Sequence, residues 1–173
     1  MFKIIVHSAS GEEELPDWPD IVNFFGDLLK PFCYFILTII ISFLPAIIYY
    51  YNSKNTSFTD PVFLLTTILG ILYVPMGLIA VAMFNSLMVL SPHIILPSIK
   101  RILSDYLIAC LFLVVILAFE QIGKAVISKV NIPILGIPIY SFLILYFIAV
   151  EMRILGLIYY TNRRRLGWFQ DDF

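Results

Sequence analysis

Pro31 to Tyr51 reads PFCYFILTIIISFLPAIIYYY, 21 residues without a charge. At ~1.5 Å rise per residue a helix of that length covers about 31 Å, close to the hydrocarbon thickness of a bilayer. Three more apolar runs follow: Pro61 to Leu90, Tyr106 to about Ile127, and Ile139 to Tyr160. Lipid offers backbone groups no hydrogen bonds, so runs of this length can cross it only as helices. The chain is 61% hydrophobic and 13% charged over 173 residues. A soluble domain of this size buries only about 70% of its unfolded surface and would leave much of that apolar material in water. The expected fold is therefore all-α: a polytopic integral membrane protein with four transmembrane helices, an amphipathic N-terminal arm and an amphipathic cytoplasmic connector.

The segments divide as an arm over 1–30, a four-helix membrane domain over 31–160 and a basic-aromatic tail over 161–173. The arm reads as polar and irregular and holds Glu12, Glu13, Glu14, Asp17, Asp20 and Asp27, half of the 12 acids. At its end Ile21, Phe24, Phe25, Leu28 and Leu29 recur at helical spacing behind Asp20 as N-cap, an interfacial helix. Trp18, Phe24 and Phe25 make this arm a candidate partner-binding surface. No apolar h-region precedes it, so the first span is expected to direct insertion, with the mature chain beginning near Met1.

Asp60-Pro61 marks the next helix start. The 30 residues from Pro61 to Leu90 would make about 45 Å of helix, too long for one straight span. Pro75 predicts a bend, and Asn85-Ser86 an end near Phe84. Residues 85–104 then form a connector containing Pro92, Pro97, Lys100 and Arg101. Lys3, Lys30, Lys100, Arg101, Arg163, Arg164 and Arg165 fall on one side of this arrangement, and Lys54, Lys124 and Lys129 on the other. The heavier side is taken as cytoplasmic, which places both termini inside, in a cell (inner) membrane.

A charge within a span costs at least ~2.5 kcal/mol, so each needs a partner or a purpose. Glu120 has Lys124 on its own helical face, near the outer interface where the lysine can snorkel; a proton or ion path is the functional alternative. Glu151 lies about 18 Å of helix before Arg163, near mid-bilayer. Arg153, two residues on, points away from it. Each of the two either pairs with another helix or subunit, or serves a proton relay or substrate site. Arg163, Arg164, Arg165 and Trp168 read as a membrane-interface anchor and as a site for anionic lipid headgroups. Thr66 with Gly70, and Ala82 with Ser86, are small residues at helical spacing that let a neighbouring helix approach.

Cys33 and Cys110 sit in apolar runs as small hydrophobes. His93 in SPHIILP reads as a solvated interfacial histidine, and one histidine makes no metal site. Asn55-Thr-Ser is a glycosylation sequon on the outward loop, a short motif of little weight. The net charge of -1 argues against nucleic acid. No catalytic, metal, nucleotide or cofactor motif is present, so no enzyme is expected.

Leu15-Pro-Asp-Trp-Pro-Asp20, Tyr73-Val-Pro-Met76, Ile102-Leu-Ser-Asp-Tyr-Leu107, and Glu151-Met-Arg-Ile-Leu-Gly156 leading to Arg165-Leu-Gly-Trp-Phe169 together resemble an uncharacterised bacterial multi-span membrane domain. Its relatives often carry a zinc ribbon ahead of the membrane part, and this chain has no Cys-x-x-Cys pair. The resemblance implies the architecture and no activity. Three functions then compete. A non-catalytic membrane subunit or scaffold packing against other membrane proteins, or against further copies of itself, comes first. A small transporter or channel component using Pro75, Glu120 and Glu151 comes second. An intramembrane enzyme is third.

Overall fold

The computed structural model describes residues 1–12, 14, 16, 25–53, 60–129 and 136–169. Among them every element is a helix. In chain order these are α1 (Phe2–Ala9), α2 (Lys30–Asn52), α3 (Pro61–Phe84), α4 (Pro92–Arg101), α5 (Leu103–Lys129) and α6 (Gly136–Leu166). A π-helical turn, Phe25–Leu29, leads into α2, and a 3-10 turn, Leu87–Leu90, precedes α4. Four segments are long and apolar enough to cross a membrane: Lys30–Asn52, Pro61–Phe84, Leu103–Gly123 and Ser141–Leu166. They coincide with the four expected spans. The shortest, at 21 residues, reaches about 31 Å, and the longer ones fit a bilayer with tilt.

The chain forms two compact units, Met1–Pro16 with Ile102–Phe173, and Asp17–Arg101. The boundary between the units falls within the connector, between Arg101 and Ile102.

The unit Asp17–Arg101 is built on the α2–α3 pair. The buried residues of α2 are Thr38, Ser42 and Ala46, four apart on one stripe. Thr38 Oγ1 donates to the Tyr34 carbonyl and Ser42 Oγ to the Thr38 carbonyl, each at 2.7 Å, so both hydroxyls are satisfied within their own helix. Glycines of α3 meet this stripe. A β-carbon on Gly70 would lie 2.8 Å from the Phe43 ring and 3.1 Å from the Ser42 carbonyl oxygen; one on Gly77 would lie 3.1 Å from Thr38 Cγ2. This is the close approach that small residues permit between membrane helices.

Pro45 lies inside α2 and Pro75 inside α3. Each removes the donor for the carbonyl four residues earlier, at Ile41 and Ile71. Asp60 caps α3, its Oδ1 accepting from Val62 N at 2.9 Å, and Pro61 takes the first helical position, where no N–H is needed. Tyr49 donates its hydroxyl to Asp60 Oδ2 at 2.9 Å, tying the end of α2 to the start of α3. Those two bonds hold the Asp60 carboxyl below its ordinary pKa, the Tyr49 bond contributing most.

At its far end α3 stops at Phe84, because Asn85 turns to a left-handed conformation at φ 49°. Ser86 then caps the 3-10 turn by accepting from Met88 N. The expected pairing of Ala82 with Ser86 on one helical face therefore does not form, since Ser86 lies beyond the helix. Tyr73 reaches from α3 to donate to the Leu90 carbonyl at 2.5 Å.

In the other unit α5 and α6 run antiparallel. Asp105 near the start of α5 meets Arg165 near the end of α6. Gly123 near the end of α5 meets Leu143 early in α6, where a β-carbon would be 3.2 Å from Leu143 Cδ2. The third member is α1, whose Phe2, Ile5, Ser8 and Ala9 are buried. Within the arm expected to be irregular over residues 1–30, Phe2–Ala9 form a regular helix; the interfacial helix expected behind Asp20 falls largely outside the described residues. Its footing is Gly156 of α6, where a β-carbon would lie 2.5 Å from the Ile5 carbonyl oxygen. Full burial of an isoleucine such as Ile5, 0% exposed, contributes about 1.5–3 kcal/mol. Eight residues are too few for a helix to persist alone in water, so α1 depends on this packing.

Candidate functional site

The sequence points to two regions of the α5–α6 pair: carboxylates at membrane depth, and an arginine-aromatic cluster where α6 emerges.

Glu120 on α5 is only 9% exposed. Glu151 on α6 is half-buried, and its Oε1 is shielded from solvent. The two ends of the hairpin fix their relative depth. From the Asp105–Arg165 pair they are 15 and 14 residues away; from the Gly123–Leu143 contact they are 3 and 8. At ~1.5 Å per residue this places them between about 2 and 8 Å of each other along the axis. Sequence distance hid this: the two sit 31 positions apart, and only antiparallel pairing brings them to within about 8 Å in height.

Arg153 is half-buried on α6. The Glu120–Lys124 pairing falls on a lysine side chain outside the described residues. Trp18 and Phe24 also lie outside them. Phe25 opens the π-helical turn before α2 and is 74% exposed.

At the emerging end of α6 the four anchor residues separate into different roles. Arg163 lies over the Tyr160 ring, 5.2 Å from its centre. Arg164 is exposed. Arg165 donates from Nη1 to Asp105 Oδ2 at 3.2 Å. Trp168 folds back so that its ring lies 5.6 Å from that of Tyr159. Gly167 at φ +61° makes that return, a backbone conformation at which side chains are strained.

Beside this end lies a groove of about 360 Å³ between α5 and α6, with Ile108, Phe112, Ile154 and Leu157 among its walls and Asp105, Thr161 and Asn162 at its polar end. Thr161 donates to the Leu157 carbonyl at 2.9 Å. The Asn162 amide nitrogen donates to the Ile158 carbonyl at 3.2 Å and to Thr161 Oγ1 at 3.1 Å. Asp105, Thr161 and Asn162 carry no sequence motif. The signal available was positional: a carboxylate in the first turn of one span and arginines in the last turn of the next occupy the same interface.

An all-helical chain with four spans and polar groups set into one antiparallel pair defines a multi-pass membrane protein. No family model, no curated protein and no solved structure matches this chain.

Proposed function

We propose that this chain is a non-catalytic integral membrane subunit or scaffold that packs against partner membrane proteins or further copies of itself. The observation that carries the reading is α5. Of its most apolar stretch only 11% is buried within the chain, and Leu111, Phe112, Phe119 and Ile122 are each more than half exposed. A span with so little intramolecular cover suits packing against other helices. The bias of basic residues toward one side supports a topology with both termini in the cytoplasm of a cell (inner) membrane.

The second reading is a small-solute or ion transporter component, favoured by Glu120 and Glu151 lying on paired helices within about 8 Å of each other in height. Purification in mild detergent, with mass spectrometry of what co-elutes, separates the two. The scaffold reading expects a stoichiometric membrane partner or a defined oligomer. A lone monomer that conducts protons or solute after reconstitution would contradict it.

A further inference from the structure

We propose that the α5–α6 groove is a binding site for a phospholipid with a zwitterionic, primary-ammonium headgroup of the phosphatidylethanolamine type. The inference rests on the membrane reading, since it takes lipid as the solvent of the groove. The walls are apolar, and from Ile154 to Asn162 the groove follows about 12 Å of helix at ~1.5 Å per residue. Its volume of about 360 Å³ gives room for a stretch of one acyl chain. An apolar trough at membrane depth with one polar end matches an amphiphile, chain along the walls and headgroup at the mouth.

The charges at the mouth choose the headgroup. Asp105 and Arg165 are held 3.2 Å apart with 47% and 66% of their side chains exposed. An ion pair this open contributes little, so it can exchange for ligand contacts. A headgroup phosphate fits the Arg165 guanidinium, with the exposed Arg164 one residue earlier, and a primary ammonium fits the Asp105 carboxylate. Phosphatidylglycerol carries the same phosphate but offers Asp105 only neutral hydroxyl donors in place of a cation. A quaternary ammonium cannot donate a hydrogen bond to Asp105.

The test is native mass spectrometry of the full chain purified in non-ionic detergent, mixed with equimolar dioleoyl phosphatidylethanolamine, phosphatidylcholine and phosphatidylglycerol. Phosphatidylethanolamine is expected to be retained about tenfold more than either competitor, the worth of one charge-assisted hydrogen bond. Asp105→Asn should remove that preference. Ile108→Trp, at an exposed wall position, should reduce retention of all three alike. Equal retention by the native chain, a preference for phosphatidylglycerol, a protein segment in place of lipid, or a preference that survives Asp105→Asn overturns the proposal. Carbonate washing of membranes separates the two failures: a chain that washes off refutes the membrane reading, whereas one that stays without the preference refutes only the site.

Discussion

Gly156 of α6 lies directly under the backbone of Ile5 in α1: a β-carbon at Gly156 would stand 2.5 Å from the Ile5 carbonyl oxygen and 2.5 Å from Ser8 Cβ. Neither neighbour is the far end of a flexible side chain, so α1 must move if anything replaces the glycine. Gly156→Leu is expected to release α1, with a loss of about 1–3 kcal/mol typical of overpacking. Hydrogen exchange over residues 2–9 should accelerate while exchange in α2 and α3 stays as it was. Unchanged protection of residues 2–9 would show that α1 is held some other way.

Gly70 and Thr66 provide a matched pair on α3. Gly70 faces the Phe43 ring and the Ser42 carbonyl, whereas the Thr66 hydroxyl donates only to Val62 and Phe63 of its own helix. Gly70→Leu should therefore lower thermal stability by about 1–3 kcal/mol. Thr66→Ala should stay within about 0.5 kcal/mol. Equal effects from the two would contradict the assignment of Gly70 as the contact residue.

The Asp60 carboxyl is held below its ordinary value of 3.8, chiefly by the Tyr49 hydroxyl and then by Val62 N. A depressed carboxylate contributes stability that is fully present above its unfolded pKa and is lost as pH falls through the folded one. The start of α3 should accordingly keep its protection at neutral pH and lose it in acid, below about pH 4. Exchange of the Val62 to Leu64 amides between pH 7 and pH 3, corrected for intrinsic rates, measures this. Tyr49→Phe should move the transition to higher pH. An unshifted transition in that variant would remove Tyr49 from the account.

Glu151→Gln keeps the shape of the side chain and removes its charge. If the residue serves packing, the variant should weaken assembly or lower the melting temperature by the modest worth of a polar contact in a membrane, about 0.6 kcal/mol and at most about 1.7. Normal assembly with proton or solute flux abolished would instead favour the transport reading.

The sequence made the four spans legible because runs of twenty or so apolar residues report on lipid, whatever they pack against. The Asp60-Pro61 start was legible for a similar reason, since capping is local chemistry. α1 was not read as a helix because eight residues owe their helicity to a tertiary contact with Gly156, 151 positions beyond Ile5. A signal was available in the spacing of Phe2, Ile5 and Ala9 along one face. The Glu151 and Arg163–Arg165 positions stood out by charge alone. Asp105 did not, because an acidic residue in the first turn of a helix is ordinary until Arg165, 60 positions later, is brought beside it. Pro45 leaves no signature in the first span, where an apolar run absorbs a proline without a change in hydropathy.

Cysteine accessibility tests the four-span arrangement most directly. In a chain whose Cys33 and Cys110 have been replaced by alanine, single cysteines at Ser57, between the first two spans, and Ser91, between the second and third, are labelled in intact cells with a membrane-impermeant maleimide. Ser57→Cys is expected to react in intact cells, and Ser91→Cys only after the membrane is opened. Reaction of both from the same side, or of Ser91→Cys alone from outside, would contradict it.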